Sequence, residues 1–159
     1  MKEKPLNELL KTNPWFAALE EPQFEALVAI ATKYVWPAGK EIFREGESNH
    51  DIYWIYAGQV ALDIAVPMRG RVTMLTLGEG DVFGWSAVLP VVKIRTASAR
   101  AVQDTLAIAF NGPGLEKACE QDRELGYIVF RRLTNVVAAR LTATRMQLLD
   151  MYATGEERG

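Results

Sequence analysis

Two short stretches decide the fold: Gly80-Asp81-Val82-Phe83-Gly84-Trp85-Ser86-Ala87-Val88-Leu89 and, after a loop containing Pro90, Arg95-Thr96-Ala97-Ser98-Ala99. Gly84 permits a close backbone approach, and the residues after it can open a short helix whose free N–H groups make a ready anion site. Arg95 follows eleven positions after Gly84. A guanidinium inside a partly closed β-structure needs a partner, and a phosphate suits its fork. Thr96 can add a hydroxyl, and the small run Ala97-Ser98-Ala99 leaves room for a ligand. Strict strand alternation would put Arg95 and Thr96 on opposite faces, so both reach one phosphate only where the strand start is irregular. The competing role for Arg95 is an ion pair with Asp81 or Glu79.

Working outward, residues 35–110 carry short β-branched or aromatic runs, such as Ile52-Tyr53-Trp54-Ile55-Tyr56 and Val72-Thr73-Met74-Leu75-Thr76-Leu77, between turn signals at Pro37-Ala38-Gly39, Glu45-Gly46-Glu47, Ala57-Gly58 and Gly78-Glu79-Gly80-Asp81. Strands at that spacing predict an antiparallel, jelly-roll-like β-roll. Residues 14–34 read as two short helices, because Asn13-Pro14 is a start signal and Glu21-Pro22 resets the chain. Gly112-Pro113-Gly114 switches the texture back, and helices are expected over 113–152, the long one from about Asp122 to Met151. Its stripe of Phe130, Leu133, Val137, Leu141, Thr144, Leu148 and Met151 steps by three or four residues; it either lies on the chain's own sheet or forms a dimer seam. Residues 1–152 are expected to be one domain and 153–159 a frayed tail.

The chain has 159 residues, 49% hydrophobic and 24% charged, with 18 basic and 20 acidic residues giving a net charge of −2. That balance excludes wholesale disorder and a pervasive basic surface for nucleic acid. The single cysteine, Cys119, forbids an internal disulfide, and with the single histidine, His50, it cannot supply a structural zinc set. No apolar run is long enough to span a membrane, and Met1-Lys2-Glu3-Lys4-Pro5 is a poor signal peptide, so a cytoplasmic setting is expected. Catalytic patterns fail. Gly84-Trp85-Ser86-Ala87-Val88 lacks the second glycine of a nucleophile elbow, Phe83 stands where a dinucleotide loop needs its third glycine, and no P-loop lysine is present. An enzyme is not expected.

From about Phe16 to Asp150 the chain resembles the cyclic-nucleotide-binding domain of the catabolite activator and Fnr superfamily. The resemblance rests on Tyr34-Val35-Trp36-Pro37-Ala38-Gly39, Phe43-Arg44-Glu45-Gly46-Glu47, Ile52 to Val60, Leu77 to Gly84 and Arg95-Thr96-Ala97, in order and spacing. It implies an eight-stranded β-roll flanked by short helices, with a long C-terminal helix that forms a homodimer through residues 122–151. It also implies that Gly84, Ser86, Ala87, Arg95 and Thr96 surround the phosphate of a ligand such as cyclic AMP or cyclic GMP, and that Thr144 approaches the base. No further cofactor is implied. Where the family carries a ribose-binding glutamate, this chain has Trp85. Losing that charge-assisted hydrogen bond costs about 1.5–3 kcal/mol, roughly one to two decades of affinity. Two functions follow: a regulatory sensor module that binds a cyclic nucleotide or related phosphate ligand, or an interaction module that keeps the fold while Trp85 fills the pocket. The family's helix-turn-helix needs more chain than follows Asp150, so direct DNA binding is not expected; Arg131, Arg132, Arg140 and Arg145 are expected to form a solvated basic face.

Overall fold

The computed structural model describes residues 4–48, 50–89, 92 and 94–156; Pro90 and the last three tail residues lie outside them. Among the described residues eight antiparallel strands form two four-stranded sheets. β1 (Ala31–Trp36), β8 (Thr105–Asn111), β3 (Asp51–Ala57) and β6 (Val82–Phe83) make one, in that order. β2 (Glu41–Phe43), β7 (Ser98–Ala101), β4 (Val60–Val66) and β5 (Gly70–Leu77) make the other. The helices are α1 (Leu6–Lys11), α2 (Glu21–Val28), α3 (Gly112–Gln121) and α4 (Arg123–Glu156), with 3-10 turns at Pro14–Phe16 and Trp85–Val88. Among the described residues no helix is long and apolar enough to cross a membrane.

Alternation along β3 builds two cores at once. Ile52 and Trp54 point toward the helices and join Leu10, Leu27, Leu125 and Leu133. Tyr53 and Ile55 point between the sheets and join Trp36, Phe43, Phe83 and the fully buried Ala99 and Ala107. The small residues let the sheets approach; the aromatics fill the space that remains. Tyr53 stacks on Phe83 with ring centroids 4.9 Å apart, and Trp36 meets the edge of Tyr53 at 5.6 Å.

The β-roll is therefore as the sequence predicts, with three differences at its borders. Residues 31–34, expected to end a helical segment, form the start of β1 and pair with β8 from Ala31↔Phe110 onward. Helical periodicity in 14–34 is carried by Phe24 and Leu27, whereas Ala31–Trp36 alternates, and sheet pairing wins there. The C-terminal helices begin at Gly112, where the Asn111 side chain accepts the Gly114 N–H, and not at 113. Residues 153–156, expected in a frayed tail, continue α4, the Thr154 hydroxyl donating to the Asp150 carbonyl at 3.0 Å. At the start of α4, Asp122 Oδ1 accepts the Leu125 N–H at 3.1 Å, an N-cap that also holds the Asp122 carboxyl below its usual range.

The helix stripe divides in two. Leu133 is buried against the roll's helical side, whereas Leu141, Leu148 and Met151 are 52%, 52% and 65% exposed. The first half therefore packs internally, and the second half has an uncovered apolar face.

Candidate functional site

Gly84 sits in the left-handed region at φ 74° and caps the 3-10 turn Trp85–Val88. A Cβ there would stand 2.8 Å from Arg95 Nη1 and 2.9 Å from the Asp51 carbonyl oxygen, so no side chain fits without movement. Within the turn the Ala87 N–H donates to the Gly84 carbonyl at 3.1 Å, so that amide is spent locally. The anion site expected from a run of free amides is correspondingly smaller than a full helix would provide.

Arg95 lies just before β7, in an irregular segment, with its backbone tied to the Gly46–Glu47 turn: its N–H donates to the Glu47 carbonyl at 2.7 Å, and its carbonyl accepts from Gly46 at 2.8 Å. The side chain is only 3% exposed. Nη2 donates to the Asp51 carbonyl at 2.7 Å and Nη1 to the Gly84 carbonyl at 3.1 Å. Phe43 covers one face of the guanidinium, 4.1 Å from ring centroid to Cζ. Nε is buried and has no hydrogen-bond partner among the described residues. Among the described residues no carboxylate forms an ion pair with Arg95, and the Asp81 carboxylate instead accepts the Gly78 N–H. The pairing with Asp81 or Glu79 is thus replaced by two carbonyls. Burial lowers the pKa of Arg95, opposed by attraction from Tyr53 and Asp51. Burial likewise raises the Asp51 carboxyl, against the pull of Arg95, and lifts the Tyr53 phenol to about 12. The site is a desolvated cation satisfied by neutral dipoles, with donor capacity left over.

A small cavity of about 40 Å³ adjoins it, lined by Phe43, Leu62, Gly84, Trp85, Ser86 and Arg95 together with Thr96 and Ala97. About 10–15 Å³ measured this way holds one water, so the space suits roughly three water-sized groups, comparable to a phosphate's oxygens. Whole-ligand pockets run to about 300–1,000 Å³. The structure thus brings Gly84, Trp85, Ser86, Arg95 and Thr96 together, with Thr96 exposed and Ser86 buried. Ala87 serves the turn, and Thr144 is exposed on α4, its hydroxyl donating to the Arg140 carbonyl at 2.8 Å. Trp85 also borders a second, apolar cleft with Leu89, Phe130, Leu133, Thr134 and Val137. Its indole therefore lies between the anion-sized cavity and α4.

Sequence reasoning missed two features. Phe43 and Tyr53, visible only as strand residues, turn out to enclose the guanidinium. Arg140 is not part of a solvated basic face: it is half-buried, its Nη2 donating to the Val82 carbonyl at 2.9 Å while its Nε has no partner among the described residues. Burial lowers its pKa, opposed by attraction from Asp81. Arg95 and Arg140 thus hold the same short segment, one at the Gly84 carbonyl and the other at Val82. The signal available was position: Arg140 falls between the stripe residues Val137 and Leu141.

An eight-stranded β-roll with a long C-terminal helix thus carries a buried arginine against a left-handed glycine turn. Residues 34–122 match the family model of the cyclic nucleotide-binding domain, which is more than half of the chain, and the chain belongs to that family. A cyclic AMP receptor protein of Thermus thermophilus is 31% identical over 101 residues, 63% of this chain and 46% of that protein. Glutaminase 2 of Bradyrhizobium diazoefficiens is 28% identical over 141 residues, 86% of this chain but 21% of its own length. The chain thus spans less than half the length of these curated relatives. The crystal structure of the Thermus thermophilus catabolite activator protein superposes with a TM-score of 0.67 at 25% identity, over 88% of this chain and 63% of that one. A cyclic nucleotide-binding domain from Methylobacillus flagellatus gives a TM-score of 0.76 at 21% identity, over 91% and 80%, a likeness of fold.

Proposed function

We propose that this domain is a non-catalytic sensor that binds a cyclic nucleotide or related phosphate ligand at Arg95 and signals through α4 as a homodimer, in a cytoplasmic setting where a free thiol such as Cys119 stays reduced. One observation carries the reading: Arg95 is desolvated and, among the described residues, has no ion-pair partner and no hydrogen-bond partner for its Nε–H. A buried charge without a counter-charge is costly, and an oxyanion in the adjoining cavity would relieve that cost. Gly84, Trp85, Ser86 and Thr96 flank the phosphate in this proposal. Ala87 holds the shape of the turn. Thr144, one helical turn beyond Arg140, meets a bound base only if α4 shifts.

Dimerisation through residues 122–151 is supported by the exposed apolar half of α4. The second reading is an interaction module without a ligand. It is favoured by the cavity of about 40 Å³, which is too small to enclose a nucleoside. A thermal-shift series with cyclic AMP, cyclic GMP and inorganic phosphate separates the two, because a ligand that binds only the folded state raises its melting temperature. Stabilisation that grows with ligand concentration supports the sensor. No shift with any of the three at millimolar concentration leaves the scaffold.

A further inference from the structure

Beside the small cavity, and sharing Arg95 and Thr96 with it, runs an open groove of about 690 Å³. Arg44, Gly46, Ala65, Arg71 and Ile94 line it as well. Its frame is tied together: the Glu45 N–H donates to Ser98 Oγ at 2.9 Å, and Glu45 Oε2 accepts the Ala65 N–H at 3.0 Å. Glu41 ties the two arginines, accepting from Arg71 Nη1 at 2.8 Å and from Arg44 Nε. Both guanidiniums thus share one carboxylate from outside the groove's lining. Each guanidinium has about five N–H donors and gives Glu41 one of them. Both arginine side chains remain accessible, Arg44 at 70% and Arg71 at 44%. The lining itself carries three arginines and one carboxylate, Glu45, with Glu41 and Glu47 beside it, Glu47 Oε2 accepting the Arg44 N–H at 3.2 Å.

From this arrangement we infer that the ligand carries two anionic groups: a phosphate seated at Arg95 and a second phosphate lying in the groove at Arg44 and Arg71. The inference rests on the phosphate-binding reading of Arg95 and deepens it by naming the ligand class, a bisphosphorylated compound in place of a singly charged cyclic mononucleotide. Size agrees with charge. The groove falls within the roughly 300–1,000 Å³ typical of ligand sites, whereas the cavity at Arg95 admits the phosphate alone. Trp85 agrees as well, because a ligand extending toward Arg44 does not require a ribose-binding carboxylate at position 85.

The test is isothermal titration of the full chain with adenosine 3′,5′-bisphosphate, cyclic AMP and inorganic phosphate. The bisphosphate is expected to bind at least about tenfold more tightly than cyclic AMP, as two added exposed charge contacts allow. The Arg44→Ala/Arg71→Ala variant is expected to lose that advantage and keep its phosphate affinity. A triple variant that adds Glu41→Gln removes the stranded carboxylate and is expected to behave the same way. Arg95→Met is expected to lose all three ligands. Equal affinities for bisphosphate and cyclic AMP, or an unchanged bisphosphate affinity in the double and triple variants, overturn the two-anion inference while leaving the Arg95 reading standing. Retention of phosphate binding by Arg95→Met overturns the Arg95 reading itself.

Discussion

Replacing Gly84 by alanine tests the geometry of the site with the smallest possible change. Two costs add. The residue sits at φ 74°, where a β-carbon is strained by about 1–2 kcal/mol. The new methyl would also stand 2.8 Å from Arg95 Nη1, 2.9 Å from the Asp51 carbonyl and 3.2 Å from Tyr53 Cδ2. The carbonyl belongs to β3 and cannot yield cheaply, so the contact adds a further cost of about 1–2 kcal/mol. The expected loss is about 2–4 kcal/mol, or roughly 4–16 °C in melting temperature for a domain of this size. Gly80→Ala is the matched control, since Gly80 has φ +88° but nothing within 4 Å of a built Cβ. It should show the conformational part alone. Thermal melts by circular dichroism measure both variants, and titration with inorganic phosphate measures the site. Equal destabilisation by the two substitutions, with phosphate affinity preserved in Gly84→Ala, would refute the claim that Gly84 is packed against Arg95.

Other outcomes follow from the same packing. Leu133→Ala should destabilise the domain by about 2–5 kcal/mol in chemical denaturation, because the side chain is 3% exposed between α4 and the roll. Arg140→Met should loosen the second half of α4, seen as faster amide exchange beyond residue 137 with little change in the roll, since its Nη2 bond to the Val82 carbonyl is an anchor there. Leu141→Glu should leave the fold intact, Leu141 being 52% exposed, and convert dimer to monomer in sedimentation; an unchanged mass would show that this face is not the seam. In alkaline titration one tyrosine should ionise near pH 12, and Tyr53→Phe should remove that transition. Because the folded protein holds this proton more tightly than the unfolded chain, its contribution to stability is present below about pH 10 and is lost as pH rises through 12.

The roll was legible because turn residues and β-branched runs alternate at a regular interval, and because alternation in Ile52-Tyr53-Trp54-Ile55 assigns each side chain to a face. The border at Ala31 was not, since Ile30-Ala31-Thr32 has no breaker and only pairing with β8 decides its conformation. The tail was misjudged for the opposite reason: Ala153-Thr154-Gly155-Glu156 has poor intrinsic helicity but extends a helix already nucleated. At the site, Gly84 and Arg95 could be placed together from their spacing. The stacking of Phe43 on the guanidinium could not, because it joins segments about fifty residues apart in sequence and depends on β2 meeting β7 in an irregular register. Arg140 was hidden because charge on a helix usually faces water, and here its donor reaches a carbonyl of a two-residue strand. Trp85 could be recognised as the departure from the family pattern; its position between the cavity and α4 required the fold.

The central claim is that a buried, unpaired cation is held ready for an anion. Comparing wild type with Arg95→Met by melting temperature and by phosphate titration tests it most directly. Methionine preserves much of the packing against Phe43 and removes a charge that the unliganded protein must desolvate, so the variant should melt at or above the wild-type temperature while binding of phosphate disappears. A variant that unfolds many degrees lower, or one that binds phosphate as wild type does, would show that Arg95 is a structural residue and not the ligand's anchor.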